Sequence, residues 1–146
     1  MSDTITLRRL GPDDLETLLA VRDGLFDNAV LPEQAKAFLA DPLHEIMLAF
    51  DEEEAVGMAT GQILLHPDKP PALFIAEVGV REEYQRQGIA KRLCEALMRH
   101  ARDRGCQGIW LATEADNTPA RALYRSLDAR ETGGIVVYDW DGAMDG

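Results

Sequence analysis

The sequence predicts a mixed α/β fold in which a mostly antiparallel sheet of six to seven strands is flanked by about four helices. Three observations support this prediction. The length of 146 residues suits one domain with one core, and hydrophobic residues make up 46% of the chain. Short apolar segments alternate with segments of helical periodicity. The resulting order, β-α-α-β-β-β-α-β-α-β, contains a meander in its first half, which argues against a doubly wound parallel sheet.

The first half of the chain contains a strand, two helices and two further strands. Residues 4–10 alternate apolar and polar side chains, as a half-buried strand does. Pro12 and the acids after it mark a helix start, and helical spacing continues to about Phe26. A second, short helix follows Pro32. Strands are then predicted at 45–50 and 55–65, separated by an acidic turn.

The second half begins with the strand that we expect at the centre of the sheet. Residues 72–80 are almost continuously apolar, and Glu77 is their only ionisable side chain. A long amphipathic helix follows from Gly88 to about Arg104, and Gly105 ends it. The remaining predicted elements are a strand at 107–113, a helix at 117–127 and a final strand at 135–140.

The charge of the chain bears on its partners. The sequence has 26 acidic and 15 basic residues, a formal net charge of −11. Such an excess argues against nucleic acid as the principal partner. Residues 81–104 differ, because they carry seven Lys or Arg against four Asp or Glu. A basic segment in an acidic chain favours one polyanionic ligand and one cationic ligand, although acidity that only keeps the protein soluble explains the overall charge equally well.

Composition also bears on location, redox state and metals. No apolar run approaches the length of a membrane span, and the first residues lack the plan of a signal peptide, so we expect no membrane partner and a cytoplasmic location. Cys94 and Cys106 have no metal-type spacing and are expected to remain reduced thiols. The three histidines are scattered, so no metal site is predicted.

The most informative stretch runs from the end of a strand into the start of the long helix. Residues 85–90 read Q-x-x-G-x-A. The first N–H groups of a helix have no intrahelical partner and lie at the positive end of its dipole, which favours an anion such as phosphate. Arg86 adds a cation, and Gly88 permits close approach of the backbone. Neither a Rossmann nor a P-loop motif is present, so the pattern alone indicates only a phosphate-bearing ligand.

Together with a second motif, this stretch resembles a known family. Val78-Gly79-Val80, residues 85–90 and the segment from Asn117 to Tyr124 resemble the acetyl-coenzyme A site of the GNAT family of N-acetyltransferases. The resemblance implies a single N-acetyltransferase domain over residues 1–146, with acetyl-coenzyme A as co-substrate. It implies that backbone amides of the turn bind the pyrophosphate and that the preceding strand pairs with the pantetheine arm. The implied cofactor-binding residues are Val78, Val80, Gln85, Arg86, Gln87, Gly88, Ile89, Ala90 and Asn117.

Within this family, the chain is most similar to the type I aminoglycoside 3-N-acetyltransferases. The segments that align with them without obvious gaps are 77–80, 110–124 and 130–139. This similarity implies a cationic aminosugar as acceptor. It also implies an acceptor-binding role for Glu114, where these relatives carry an acid.

Two side chains are candidates for the chemistry. The acceptor arrives as an ammonium ion, and Glu77 could bind the cation and take its proton, directly or through a water. The alternative is a strand carboxylate that faces outward or forms a salt bridge. Tyr124, two turns along the helix from Asn117, could protonate the departing thiolate of coenzyme A. The alternative is a half-buried aromatic that packs against Leu123 and Leu127.

Further residues have two interpretations each. Asn117 could bind the pantetheine amides, and it is also a good N-cap. Glu114 and Asp116 follow a strand at its carboxyl end, where they either bind the acceptor or form a surface turn. A local break in pairing at residues 78–80 would free amides for pantetheine and for the thioester oxygen, although Gly79 could equally be an ordinary strand glycine.

These observations predict an acetyl-coenzyme A-dependent N-acetyltransferase that acts by direct transfer in a ternary complex, since neither cysteine lies beside a predicted base. Three acceptor classes remain open: aminoglycosides, small polyamines or amino acid amines, and protein amines. The acidic remainder of the chain favours a small cationic molecule. An alternative of another class is a non-catalytic acyl-coenzyme A-binding sensor. The resemblance and the final predicted strand also suggest a homodimer.

Overall fold

The computed structural model describes residues 4–145, which form two compact units with a boundary between residues 111 and 112. The first unit contains strands β1 (Ile5–Arg9), β2 (His44–Asp51), β3 (Glu54–Leu64), β4 (Ala72–Val80) and β5 (Gly108–Trp110) and helices α1 (Leu15–Leu19), α2 (Pro32–Ala40) and α3 (Ile89–Asp103). The second unit contains helix α4 (Thr118–Ser126). Short 3₁₀ turns at Pro12–Asp14 and Glu82–Tyr84 precede α1 and α3.

The sheet has the order β1-β2-β3-β4-β5. Its first three pairings are antiparallel, and β4 pairs with β5 in parallel. The predicted mixed α/β fold, with its largely antiparallel sheet and four helices, is therefore confirmed. In this order β3 is the middle strand and is almost completely buried, while β4 lies between β3 and the short edge strand β5.

The predicted number of six to seven strands is wrong, because five strands are present over residues 4–145. The segment 135–140 is not a strand, although its composition is typical of one. A strand requires a neighbour for its backbone hydrogen bonds, and the second unit, taken by itself, contains only α4 as a regular element. The strand predicted at 107–113 is also shorter, since only residues 108–110 pair with β4.

The first helix is shorter than its apolar spacing suggests. It ends at Leu19, and Gly24 lies in the left-handed region at φ +103°. Val21 and Leu25 are nevertheless buried, with 8% and 7% of their surface exposed. Their apolar side chains therefore anchor a loop over residues 21–31 instead of continuing the helix.

The two faces of the sheet carry separate apolar clusters. On one face α3 buries Ile89, Leu93 and Leu97 against the sheet. On the other face α1, α2 and the 21–31 loop pack over residues that include Met58 of β3. The packing is close at Gly57 of β3, where a Cβ would lie 3.0 Å from a Leu93 methyl, so α3 approaches the strand backbone directly.

A buried carboxylate joins the far end of the sheet to the end of α3. Glu45 is 1% exposed, and it accepts hydrogen bonds from Arg9 Nε at 2.8 Å and from Arg104 Nη1 at 2.6 Å. His100 Nε2 lies 3.2 Å from the same carboxylate. Burial opposes ionisation of Glu45, but the hydrogen bonds from the two arginines outweigh it and lower the pKa of this carboxyl below its ordinary value.

We expect Glu45→Gln to lower the free energy of unfolding by about 2 kcal/mol at pH 7, because the charge-assisted hydrogen bonds from Arg9 and Arg104 are lost. The loss is no larger because both arginine side chains are partly exposed to water. A carboxyl with a lowered pKa contributes its stabilisation above the ordinary value of about 4.3 and loses it as the pH falls through the lowered value. The difference between the variant and the native chain should therefore shrink below about pH 4. Urea unfolding at several pH values, with exposed Glu95→Gln as control, measures it. A pH-independent difference would contradict this account.

Candidate active site

The turn between β4 and α3 has an unusual backbone. Two of its residues, Arg86 at φ +65° and Gly88 at φ +79°, lie in the left-handed region. Left-handed residues in a turn point successive N–H groups into one concavity, and here the concavity opens onto the first turn of α3. That first turn carries no acidic residue. A Cβ on Gly88 would meet no atom within 4 Å, so the space over the helix start is open. The turn has the form of an anion cradle.

Several hydrogen bonds fix this turn to the sheet. The Tyr84 hydroxyl donates to Asp51 Oδ2 at 2.5 Å, and this bond raises the pKa of the phenol, because the phenolate could not donate it. Gln85 Nε2 donates to the carbonyl of Val80 at 3.0 Å. In this structure the Gln85 side chain thus shapes the turn. It leaves the backbone of the following residues to face a ligand.

β4 has one free edge beside this cradle. Its pairing with β5 covers only residues 72–74, and no strand among residues 4–145 pairs with 75–80 on that side. The predicted break in pairing at 78–80 is wrong for the β3 side, where Val78, Gly79 and Val80 continue the antiparallel register. The unpaired stretch therefore arises because β5 ends at Trp110 and no longer pairs with β4. Val78 and Val80 lie on this open stretch.

Glu77 is placed by a bulge. The register shifts between Thr60 and Gly61, which pair with Glu77 and Ile75, so that Ala76 is an extra residue in β4. Bulges redirect side chains, and both Ala76 and Glu77 are exposed in an otherwise apolar strand. The Thr60 hydroxyl, which is almost completely buried, donates to Glu77 Oε1 at 3.3 Å.

Glu77 lies on the sheet face that α1, α2 and the 21–31 loop cover. Its neighbour on the same face is Gly79, because alternate residues of a strand share a face. A Cβ on Gly79 would lie 3.2 Å from Met58 Cε and 3.3 Å from the carbonyl oxygen of Leu25. The carboxylate therefore occupies the face opposite to α3, next to the loop.

The second unit holds the remaining predicted residues. The predicted N-cap is confirmed, since Asn117 Oδ1 accepts from the N–H of Ala120 at 3.1 Å. Its side-chain NH₂ group is not used by this cap. Tyr124 is half-buried on α4, and Glu114 and Asp116 are exposed in the turn before the helix.

Ion pairs stabilise α4 within this unit. Arg121 donates to both oxygens of Glu131, at 3.1 and 2.9 Å, and also to the carbonyl of Ala115 at 2.6 Å. The carboxylate raises the pKa of Arg121, and Arg121 in turn lowers the pKa of Glu131. These bonds tie the turn at 115 to the helix that carries Tyr124.

The structure thus brings the predicted residues together in two sets. The first unit holds Glu77, Val78, Val80, Gln85, Arg86, Gln87, Gly88, Ile89 and Ala90. The second unit holds Glu114, Asp116, Asn117 and Tyr124. Thr60 and Tyr84 support the first set and were not predicted from the sequence. An aromatic residue in a polar turn was the available signal for Tyr84, whereas nothing local distinguishes Thr60.

Neither a metal site nor a membrane segment is found in the described chain. Over residues 4–145 no group of three or more His, Cys, Asp or Glu side chains could hold a metal ion. No helix in this range has the length and apolar character that crossing a membrane requires. Both cysteines are buried, and burial raises the pKa of the Cys94 thiol to about 11 and also raises that of Cys106.

The fold and the site together place an anion cradle beside the open edge of β4, within a mixed α/β fold. The model of the Acetyltransferase (GNAT) family matches residues 14–128. The chain belongs to this family, and the predicted enzyme class, an N-acetyltransferase, is confirmed.

Individual proteins show the same likeness. The chain is 25% identical over 140 residues to an aminoglycoside N(6')-acetyltransferase type 1 from Salmonella enteritidis, covering 90% of this chain and 96% of the relative. A solved aminoglycoside acetyltransferase from an uncultured soil metagenomic sample, in complex with sisomicin, has a TM-score of 0.79 at 20% identity, with coverage of 96% and 99%. AAC(6')-Iy in complex with a bisubstrate analogue, CoA-S-monomethyl-acetylneamine, has a TM-score of 0.77 at 21% identity, with coverage of 93% and 97%. Some other curated acetyltransferases are longer, and the chain spans 46% or 47% of them.

Proposed function

We propose that this chain transfers the acetyl group of acetyl-coenzyme A directly to a primary amine of a small cationic molecule. The observation that carries the proposal is the open edge of β4, which leads into the cradle at the start of α3. A linear ligand with a diphosphate at one end fits this geometry, because an unpaired strand edge binds amides and a helix start binds anions.

In this proposal the two ends of the donor are held by different groups. The backbone of residues 85–90 and the Arg86 guanidinium bind the pyrophosphate. Val78 and Val80 offer backbone hydrogen bonds to the pantetheine arm, and Asn117 contributes its free NH₂ group to the same arm. Gly88 fits the role because a side chain there would occupy the open space over the helix start.

The chemistry follows from the acceptor being an ammonium ion at neutral pH. Glu77 accepts a proton from it, directly or through a water, and the free amine attacks the thioester carbonyl. A C–N bond forms and the C–S bond breaks, and Tyr124 donates its proton to the departing thiolate. The second proton, which the nitrogen loses as it becomes an amide, passes to water, and Tyr124 regains its own proton from water. Transfer is direct because both thiols are buried with raised pKa values, which makes them poor nucleophiles for an acyl-enzyme.

The acceptor is proposed to be an aminoglycoside. The exposed carboxylates of Glu114 and Asp116 and the formal charge of −11 favour a polycation. The similarity of segments 77–80, 110–124 and 130–139 to the type I 3-N-acetyltransferases implies that the 3-amine is acetylated. The Salmonella enteritidis relative and AAC(6')-Iy are instead enzymes of the 6' type. NMR of the acetylated product distinguishes the two positions.

A thiol-release assay over a panel of amines tests the activity. The panel contains aminoglycosides, polyamines, amino acids and a peptide with a free N-terminus. We expect aminoglycosides to accelerate release most. Binding of coenzyme A with no release on any amine would favour a sensor module and overturn the proposal.

Tyr124→Phe is expected to lower kcat about tenfold or more, since a general acid contributes by protonating the leaving group. The dissociation constant of coenzyme A should change less than twofold. Steady-state kinetics and calorimetry measure the two quantities. Leu123→Met on the same helix serves as control. An unchanged kcat in the phenylalanine variant would remove Tyr124 from the mechanism.

Two properties of the whole chain belong to the proposal. Residues 1–146 act as one acetyltransferase domain, which is supported by the family match that runs across the boundary between the two units.

The chain forms a homodimer in which residues 135–140 contribute to the interface. The support for this is the exposure of five large apolar side chains in that segment, namely Ile135, Val136, Val137, Tyr138 and Trp140. Light scattering of the purified protein tests the dimer.

A further inference from the structure

Arg81 is a buried arginine directly after β4. Only 8% of its surface is exposed. Its guanidinium donates three hydrogen bonds to backbone carbonyls: Nε to Ala55 at 2.9 Å, Nη1 to Asp23 at 3.1 Å and Nη2 to Arg22 at 2.8 Å. Two of these acceptors belong to the 21–31 loop, and the third, Ala55, is the second residue of β3. One side chain therefore joins the loop to the sheet.

The loop makes close contact with Arg81 and β4. Gly24 lies at φ +103°, and a Cβ at this position would be 3.3 Å from Arg81 Nη1. The carbonyl oxygen of Leu25 lies over Gly79. This contact is two residues from Glu77 and on the same face of the strand. The loop therefore contacts β4 two residues from Glu77, on the face that carries its carboxylate.

The backbone of Arg81 belongs to the turn that forms the anion cradle. Its N–H donates to the carbonyl of Val56 at 2.9 Å, and its own carbonyl accepts from the N–H of Tyr84 at 2.9 Å. The main chain of this residue is therefore fixed in the connection between β4 and α3. Its side chain extends from this connection to the 21–31 loop, which lies on the face of the sheet opposite to α3.

A second arginine supports this arrangement. The side chain of Arg22 forms an ion pair with Glu54 Oε2, while the carbonyl of Arg22 accepts from Arg81. Glu54 Oε2 also lies 3.9 Å from Arg81 Nε. The Glu54 carboxylate, the 21–31 loop and the Arg81 guanidinium are therefore connected to one another at this end of the sheet.

We propose that Arg81 is a positioning residue that holds the 21–31 loop as the wall of the acceptor site beside Glu77. This inference rests on the proposed acetyl transfer. The planar guanidinium serves three carbonyls in fixed directions at once, which the single ammonium of a lysine cannot do. A displaced loop would let the amine bind in geometries that do not reach the thioester, and errors of about 1 Å are enough to slow a reaction markedly.

Arg81→Lys tests the proposal, with Arg99→Lys on the exposed surface of α3 as the matched control. We expect kcat/KM for the amine to fall about tenfold or more in the first variant, mainly through a higher KM for the amine. The dissociation constant of coenzyme A should stay within about twofold, because the cradle itself is unchanged. Hydrogen exchange in peptides covering 20–31 should become faster, while peptides from α3 and β3 keep their protection. Arg99→Lys should resemble the native chain in every one of these measurements.

Two outcomes would overturn the role of Arg81. One is native exchange in the 20–31 peptides together with a native KM for the amine. The other is an equal loss of amine and coenzyme affinity with faster exchange throughout the first unit, which would indicate a general structural role. If Arg81→Lys does not fold, Gly24→Ala replaces it, since the added methyl group displaces the loop from the guanidinium. The same two criteria apply to it.

Acetyl transfer and the positioning of the 21–31 loop by Arg81 are tested by different measurements. A native chain that releases no thiol on any amine contradicts acetyl transfer. Exchange in the 20–31 peptides, compared between Arg81→Lys and the native chain, still decides whether Arg81 holds the loop.

Discussion

Glu77→Gln is expected to lower kcat/KM for the amine by about a hundredfold to a thousandfold, the range of a lost general base. Glutamine retains the size of the side chain and can still accept from the Thr60 hydroxyl, which lies 3.3 Å from the carboxylate in the native chain. It cannot take up a proton or balance the charge of an ammonium ion. The loss should therefore appear in the chemical step and in amine binding, while the affinity for coenzyme A remains native.

Single-turnover kinetics with preformed acetyl-coenzyme A complex measure the chemical step, and calorimetry measures the donor affinity. Glu95→Gln, an exposed acid on α3, is the matched control and should leave both unchanged. A Glu77→Gln variant with native single-turnover rates would exclude Glu77 as the base. Loss of donor affinity equal to the loss of rate would instead indicate that Glu77 shapes the open edge of β4.

The cradle was predictable because its signals are local. The Q-x-x-G-x-A pattern, the apolar strand before it and the amphipathic helix after it lie within one continuous segment. Asn117 before Thr118-Pro119 is a similarly local signal, and the structure confirms the cap that it predicts. Such features depend on neighbours within about one helical turn, so a single sequence contains enough information for them.

Features that depend on distant partners were not predictable. The loop carbonyls that accept from Arg81 lie 58 and 59 positions earlier in the chain, and the sequence gives no sign that this arginine is buried. The bulge at Ala76 depends on how β4 pairs with β3. Segment 135–140 has the composition of a strand, but composition cannot supply the neighbouring strand that its backbone requires.

Gly88→Ala is expected to weaken binding of coenzyme A by about a hundredfold. This variant has two separate effects, a backbone strain that lowers folding stability and a steric block that lowers affinity. Gly88 has φ +79°, where alanine is strained by about 1 kcal/mol. The new methyl group also projects into the open space over the start of α3, so that the diphosphate can no longer approach the first N–H groups closely. A loss of about 2.7 kcal/mol of binding corresponds to the hundredfold change, and calorimetry with coenzyme A measures it.

Gly105→Ala is a closely matched control, because Gly105 follows the other end of α3, lies at φ +92°, and would also place its Cβ in open space. Both variants should lose a similar free energy of unfolding, about 1 kcal/mol, since both add the same methyl group to a left-handed residue beside the same helix. Only Gly88→Ala should lose affinity for coenzyme A. Equal losses of affinity would attribute the effect to a destabilised helix and would contradict the cradle. Native affinity in Gly88→Ala would place the diphosphate elsewhere.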